Sequence, residues 1–240
     1  MSRMQVVSNS AVKRAGSNIR RFGRGEASEE DFLAAAEVVR RYRSLYVSPM
    51  EAVNTRLLTL APLVDREVEI SSRLKRWVTI VDKLRREPTM NLLLMQDIGG
   101  CRAVVTDLSR MMRLRDQIAE DWDGDLADEY DYVKQPRQSG YRAIHLIVVQ
   151  DGRKVEIQLR TRQMHMWALS VEAFSSVLGD NFKQDGDHIV QRYMRAYSDF
   201  IWADEAGVEV ASETVAILRE LLPDIRSLIE GKAPQSAQEG

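Results

Sequence analysis

The sequence predicts an α+β protein in which a mixed, mainly antiparallel sheet is flanked by helices. Two apolar runs flank Asp151-Gly152, a dipeptide that tolerates the positive φ angles of a tight hairpin turn. A compact apolar run, CRAVVT at 101–106, has the length of a buried strand. Long segments on both sides of this central part have apolar residues at helical spacing. These three observations favour strands packed against helices.

The N-terminal part is predicted to be helical. Ser28 followed by three acidic residues is typical of a helix start, because serine can cap the first turn and acids suit its partial positive charge. Pro49 marks a break or a fresh helix start. A short helical turn is expected at 91–97, ended by Gly99-Gly100. The other predicted helices in this part are 8–21, a segment through Val53, Leu57 and Leu60, and 77–87.

Four strands and several further helices are predicted after this part. The strands are 101–106, an extended segment at 129–134, and the two arms of the hairpin within 142–160. The helices are 108–121, 161–178, 187–206 and 213–230, and the polar tail from Lys232 onward is expected to fray.

The two faces of the hairpin differ in chemistry. Alternation along each strand puts six aliphatic residues on one face, namely Ile144, Leu146, Val148, Val155, Ile157 and Leu159. The opposite face carries His145, Glu156, Gln158 and Arg160, with His145 across from Gln158. Such a face can meet water, or it can hold a polar ligand; the basic and aromatic residues that flank the hairpin favour the ligand.

Composition excludes several classes of protein. The chain has 240 residues and a net charge of −2, and it lacks an apolar run near the roughly 20 residues that span a bilayer. The N-terminus has no apolar signal-peptide segment. One cysteine, Cys101, excludes an internal disulfide and fits a reducing cytoplasm, so a cytoplasmic location is expected. Three scattered histidines and one cysteine offer no zinc-ligand spacing.

A basic cluster precedes and enters the helix at 77–87. Thr79 and Lys83 are four residues apart and share a helix face, while Arg73 and Lys75 are placed in a loop before it. Cations at this density suit a polyphosphate, and the backbone N–H groups at a helix N-terminus favour anions as well. A solvated basic face remains the alternative.

Two acidic residues are candidates for a magnesium site. Asp97 lies just before a predicted strand, and Glu156 lies on a neighbouring one. Mg²⁺ prefers one or two carboxylates plus phosphate oxygens and water, so the pair would suit it. Asp97 alone could instead be a helix-end residue. Tyr141 could close the edge of the core, or it could stack on a base while Lys134 and Arg137 hold phosphates.

Four motifs in order resemble the RelA/SpoT-type alarmone synthetase domain over roughly residues 70–175. They are R-x-K-x-x-x-T-I-x-x-K from Arg73, QDIGGCRAVV, SGYRAIH and VEIQLRTRQMHMWALSVE. The resemblance implies a nucleotidyltransferase-like fold. It also implies a Mg²⁺-dependent GTP pyrophosphokinase, which moves pyrophosphate from ATP to the 3′-hydroxyl of GDP or GTP and releases AMP.

The resemblance also implies roles for individual residues. Asp97 resembles the metal-binding acid, and Glu156 resembles the second acid, a metal ligand or the base for the 3′-hydroxyl. The residues that look like ATP ligands are Arg73, Lys75, Thr79 and Lys83. Those that look like ligands of the acceptor nucleotide are Lys134, Tyr141, His145, Gln158 and Arg160, with Tyr141 stacking on guanine.

The motif match divides the chain into a helical extension at 1–65, a synthetase domain at 66–180, and C-terminal helices with a tail at 181–240. The absence of an HD pair implies a stand-alone protein that only synthesises. The flanking helices are candidates for homo-oligomer contacts or for binding a protein inhibitor. Two other functions stay open, a toxin-type relative that modifies the 3′-CCA end of tRNA and an inactive nucleotide sensor.

Overall fold

The computed structural model describes residues 7–87, 89–183 and 186–231, and the tail predicted to fray from Lys232 lies outside them. The helices are α1 (Asn9–Gly23), α2 (Glu29–Ser44), α3 (Val47–Val64), α4 (Trp77–Arg86), α5 (Leu108–Asp121), α6 (Arg162–Leu178), α7 (Ile189–Ala206) and α8 (Ser212–Glu230). The strands are β1 (Glu69–Leu74), β2 (Gly99–Val105), β3 (Leu126–Asp131), β4 (Ile144–Gln150) and β5 (Arg153–Thr161).

Within the described residues the strands form one five-stranded sheet in the order β1-β2-β5-β4-β3. β2 and β5 are parallel, and the other neighbouring pairs are antiparallel. The predicted α+β class, with a mixed and mainly antiparallel sheet flanked by helices, is confirmed. The prediction of four strands is wrong, because Glu69–Leu74 adds an edge strand where a loop was expected.

The hairpin forms as predicted. Asp151 has φ 51° and Gly152 has φ 70°, so both turn residues take the left-handed conformation that a two-residue hairpin needs. The register pairs Val148 with Val155 and His145 with Gln158. The predicted two-faced strand pair is therefore confirmed.

The glycine pair has a different role from the one predicted. Gly99-Gly100 does not end a helix but begins β2, and the preceding turn is a short 3₁₀ helix at Leu92–Leu94. The predicted helix start at Ser28 is confirmed, because Ser28 forms a capping box with Asp31 at the start of α2. Ser8 caps α1.

Helices cover the apolar face of the sheet and leave its polar face for a site. α3 and α5 pack on the apolar face and form the main core with β2, β4 and β5. α1 and α2 form a second core with α4 and the 3₁₀ turn. A third core joins α6, α7 and α8. Among the described residues, no helix combines the length and apolar character that crossing a membrane requires.

Burial on α3 predicts a large difference between two leucines of the same helix. Leu57 is 0% exposed in the main core, and Leu63 is 77% exposed. We expect Leu57→Ala to lower the free energy of unfolding by about 3 kcal/mol, because it leaves a cavity. The matched variant Leu63→Ala should change it by less than about 0.5 kcal/mol. Urea unfolding followed by circular dichroism measures both, and equal losses would contradict this placement of α3.

Candidate active site

The strand register places a basic and an acidic residue on either side of a glycine. Arg73 on β1 pairs with Gly100 on β2, which pairs with Glu156 on β5. Residues opposite one another in a sheet share a face, so Gly100 leaves an open space between the two charged side chains. A Cβ at Gly100 would lie 3.9 Å from Glu156 Oε2, and a longer side chain would occupy that space.

The neighbouring row of the sheet is polar across four strands. Ser71 pairs with Arg102, Arg102 with Gln158, and Gln158 with His145. The two adjacent rows therefore bring guanidinium, carboxylate, amide and imidazole groups to one face. This is the polar face that the hairpin sequence predicted, extended onto β1 and β2.

A cleft opens at the β1 side of this face. It is lined by Ser71, Ser72, Arg73, Lys75, Asp97, Gly100, Cys101, Arg102, Glu156 and Gln158. The lining includes both predicted acids and two of the predicted ATP ligands. Cys101 is buried, and burial raises the pKa of its thiol to about 12. The cysteine is therefore a thiol, and not a thiolate nucleophile, at neutral pH.

Asp97 lies between two lysines at one end of the cleft. Lys75 Nζ is 2.5 Å from Asp97 Oδ2, and Lys83 Nζ is 3.6 Å from Asp97 Oδ1. Burial would raise the pKa of Asp97, but the charges of Lys75 and Lys83 hold it below its usual value. The aspartate is therefore ionised and already placed beside groups that can bind phosphate.

Glu156 belongs to a closed ring of hydrogen bonds. Its Oε1 lies 2.8 Å from His145 Nδ1, and His145 Nε2 lies 2.7 Å from the Tyr141 hydroxyl. Arg160 donates to that hydroxyl at 3.0 Å and to Gln158 Oε1 at 3.3 Å. Gln158 closes the ring by donating to Glu156 Oε2 at 2.7 Å. Five predicted site residues are thus linked directly.

The ring assigns the direction of each hydrogen bond at His145. A carboxylate only accepts, so His145 donates to Glu156 from Nδ1. Nε2 can then accept the hydroxyl proton of Tyr141, whose oxygen accepts from Arg160. Burial would raise the pKa of Glu156, but the hydrogen bonds from His145 and Gln158 hold it below its usual value. An ionised, fixed carboxylate can accept a proton from a ligand.

Three arginines concentrate positive charge beside the cleft. In the described part of the chain, Arg73, Arg102 and Arg160 form no ion pair with a carboxylate. Burial and the positive charges of Arg160 and Arg73 lower the pKa of Arg102. Mutual repulsion of this kind would be relieved by an anion, so the arrangement suits polyphosphate.

The sequence prediction missed Arg102, although a signal existed. It stands in the compact strand CRAVVT, where a charged residue among aliphatic ones indicates a functional side chain. It also missed Arg43 of α2, whose Nε donates at 2.7 Å to the carbonyl oxygen of Lys75. That contact fixes the connection from β1 to α4. No local pattern in the sequence indicates this contact between Arg43 and Lys75.

Two predicted ligands, Thr79 and Lys134, belong neither to the cleft lining nor to the hydrogen-bonded ring. Thr79 is exposed on α4, one turn before Lys83. Lys134 forms an ion pair with Asp131 at 3.0 Å, and its side chain is 76% exposed. The prediction that Arg73 and Lys75 both lie in a loop is wrong for Arg73, which is in β1. The roles of Thr79 and Lys134 stay predictions.

The donor atoms fit a divalent metal of the phosphate-bound kind. Asp97 Oδ1 is buried and accepts no hydrogen bond from any described residue, so it can still take a ligand. The negative charge of Asp97 acts to raise the pKa of Glu156, against the hydrogen bonds that lower it. No group of three or more His, Cys, Asp or Glu side chains is placed to hold a metal in the described ranges. The fit therefore depends on phosphate oxygens joining the two carboxylates.

The lowered pKa of Asp97 predicts how stability depends on pH. A carboxylate with a lower pKa in the folded protein than in the unfolded chain stabilises the fold above its unfolded value, here 3.8. That contribution is lost as pH falls through the folded value. We expect the difference in unfolding free energy between wild type and Asp97→Asn to shift against wild type below pH 3.8. Denaturant unfolding between pH 6 and about pH 2.5 measures this difference, and a constant difference would contradict the ion-paired site.

Comparisons with known proteins give consistent matches. Residues 72–175 match a region found in RelA/SpoT proteins. GTP pyrophosphokinase YjbM of Bacillus subtilis is 26% identical over 189 residues, which are 72% of this chain and 88% of that protein. An uncharacterized protein of Mycobacterium tuberculosis is 31% identical over 180 residues. That match covers 74% of this chain, and the chain spans 62% of the length of that relative.

Solved structures give the same fold. Small alarmone synthetase 2 of Bacillus subtilis aligns with a TM-score of 0.58 and 21% identity, over 75% of this chain and 98% of that one. Small alarmone synthetase 1 from the same organism, bound to its product pppGpp, aligns with a TM-score of 0.58 and 22% identity, over 70% and 94%. Residues 72–175 therefore match the region found in RelA/SpoT proteins, and the chain has the fold of the small alarmone synthetases.

Proposed function

We propose that the protein is a GTP pyrophosphokinase that transfers pyrophosphate from ATP to the 3′-hydroxyl of GDP or GTP. The observation that carries the proposal is one cleft that brings Asp97 and Glu156 together with three cations. Lys75 pairs with Asp97, whereas Arg73 and Arg102 have no carboxylate partner among the described residues. Transfer of a phosphoryl-type group depends on positioning and on neutralising the developing oxygen charge. Both requirements are supported by this arrangement.

The donor side of the cleft would hold the phosphates of ATP. Arg73, Lys75 and Lys83 are the proposed phosphate ligands, with Thr79 at the exposed end of the same helix face. When ATP binds, Lys75 and Lys83 would contact both Asp97 and the phosphates of ATP. Arg102 joins this set in our proposal, because its planar group can bind phosphate or stack on a base.

The acceptor side would hold the guanine nucleotide. Tyr141 is the proposed stacking residue, and its hydroxyl is already held by His145 and Arg160. His145 and Gln158 would contact the acceptor while they orient Glu156. Lys134 would have to leave Asp131 to reach the acceptor phosphates.

Glu156 is the proposed base in the reaction. The acceptor 3′-oxygen attacks the β-phosphorus of ATP, and the bond to the oxygen shared with the α-phosphate breaks. AMP leaves, and the hydroxyl proton passes to Glu156. Asp97, with Glu156, would hold Mg²⁺, which when bound neutralises charge on the transferred phosphates. Within this proposal residues 66–180 are the synthetase domain, flanked by helical segments at 1–65 and 181–240.

A label-transfer assay tests the proposal. Purified protein is incubated with Mg²⁺, ATP labelled at the β-phosphate, and GDP, GTP or deacylated tRNA. We expect label in GDP or GTP and unlabelled AMP as the second product. Label in tRNA alone would overturn the proposal in favour of a toxin-type enzyme, and no transfer to any acceptor would favour a nucleotide sensor.

One surface favours tRNA as the second candidate acceptor. α1 contains no acidic residue, and its exposed residues include Lys13, Arg14 and Arg21. A tRNA acceptor stem needs several phosphate contacts of this kind. Solvation of a basic helix explains the same residues, so the transfer assay decides between the acceptors.

A further inference from the structure

The connection between β3 and β4, residues 132–143, carries Tyr141 into the site. Its ends are joined by a hydrogen bond from Tyr132 N to Ala143 O, and Gly140 N donates to Arg137 O at 2.8 Å. These bonds close the loop on itself. They do not fix the loop against the rest of the protein, so its placement must come from other contacts.

α7 makes such contacts on both sides of Tyr141. Ser198 Oγ donates to the carbonyl oxygen of Gly140 at 2.5 Å, and Arg142 Nη2 donates to Asp199 Oδ1 at 2.7 Å. Gly140 has φ +87°, and a Cβ there would lie 3.0 Å from Arg195 Cα. Only glycine allows the loop backbone to approach α7 this closely. The two neighbours of Tyr141 in the chain, Gly140 and Arg142, are therefore paired with consecutive residues of α7, Ser198 and Asp199.

Arg142 connects the other arm of the loop to the same helix. Its Nη1 donates to Val133 O at 2.7 Å, and its guanidinium lies 5.1 Å from the ring centre of Trp202. The Arg142 side chain is 8% exposed, whereas Asp199 is 47% exposed. Loss of Asp199 would leave a buried cation without its carboxylate partner, a costly change for the loop.

We propose that α7 positions the acceptor site by fixing the 132–143 loop through Ser198 and Asp199. These residues lie outside the matched region 72–175 and touch no predicted ligand except through the loop. α7 thus determines where the Tyr141 ring lies and allows its hydroxyl to keep the hydrogen bond to His145. Ser198 and Asp199 are positioning residues. That the loop serves a guanine nucleotide rests on the proposed function.

The test separates positioning from general stability. Asp199→Asn should raise KM for GDP roughly tenfold and leave KM for ATP within about twofold of wild type. Amide hydrogen exchange in 132–143 should become faster, while exchange in the β4–β5 hairpin should not change. Asp199→Glu keeps the carboxylate, so its KM for GDP and its exchange in 132–143 should lie close to those of wild type. Asp224→Asn removes the same charge from an exposed position on α8 and should change neither.

Several outcomes would overturn the proposal. Equal changes in both KM values, or unchanged exchange in 132–143, would show that α7 does not position the loop. Should Asp199→Asn fail to fold, Ser198→Ala is measured in the same way, since it removes only the bond to Gly140. If wild type transfers nothing to GDP or GTP, the proposed function fails, yet the exchange measurement still decides whether α7 holds the loop.

Discussion

Replacing Glu156 by glutamine is expected to lower kcat for pyrophosphate transfer by roughly 100- to 10,000-fold. Glutamine keeps the size of the side chain and one acceptor oxygen, but it cannot take the proton of the 3′-hydroxyl. KM for ATP and for GDP should change by less than about threefold, because the phosphate-binding cations stay in place. Steady-state kinetics with both substrates varied measure these effects.

The control for this prediction is another glutamate with the same chemical change. Glu120 is exposed at the end of α5, away from the polar face of the sheet. Glu120→Gln should transfer pyrophosphate at the wild-type rate. A Glu156→Gln variant that retained more than about a tenth of the wild-type kcat would exclude Glu156 as the base.

Replacing Asp97 by asparagine is expected to have an effect of comparable size, a loss of about 1,000-fold or more in kcat/KM. The change removes the charge that would bind Mg²⁺ and releases two lysines, Lys75 and Lys83, from their shared partner. Since the metal ligand itself is lost, added Mg²⁺ should restore little of the rate. A titration of rate against Mg²⁺ concentration measures both effects.

Lys83→Ala tests whether Asp97 contributes more to the rate than a single neighbouring cation does. Lys83 lies 3.6 Å from Asp97 and is one of several cations near the cleft, so its loss should cost less than the loss of Asp97. Asp82→Asn, an exposed change on the same helix, should leave the rate unaltered. Similar residual rates for Asp97→Asn and Lys83→Ala would contradict the proposed role of Asp97.

Local signals explain why the hairpin and most helices could be predicted. The turn at Asp151-Gly152 fixes the register by its own backbone geometry, and alternation then assigns every side chain to a face. β1 had no such signal. Its sequence EISSRL is polar and its side chains are mostly exposed, as suits an edge strand, so neither alternation nor an apolar run indicated it.

The site was predictable where motifs carry it and not where long-range contacts do. The motifs around Asp97 and Glu156 indicated two acids at one sheet edge, and both line the same cleft. Arg43 and Asp199 lie far along the chain from Lys75 and Arg142, the residues that they hold. Such pairings depend on how α2 and α7 pack, which no spacing in the sequence encodes.

The direct test of the two-carboxylate site is a crystal structure with Mn²⁺ and a nonhydrolysable ATP analogue, using anomalous scattering to locate the metal. We expect the metal beside the analogue's phosphates and within roughly 2.0–2.3 Å of an oxygen of Asp97, with Glu156 facing the same metal and the acceptor pocket. A metal held by phosphates alone, or one bound elsewhere with Asp97 and Glu156 both turned away, would contradict the account.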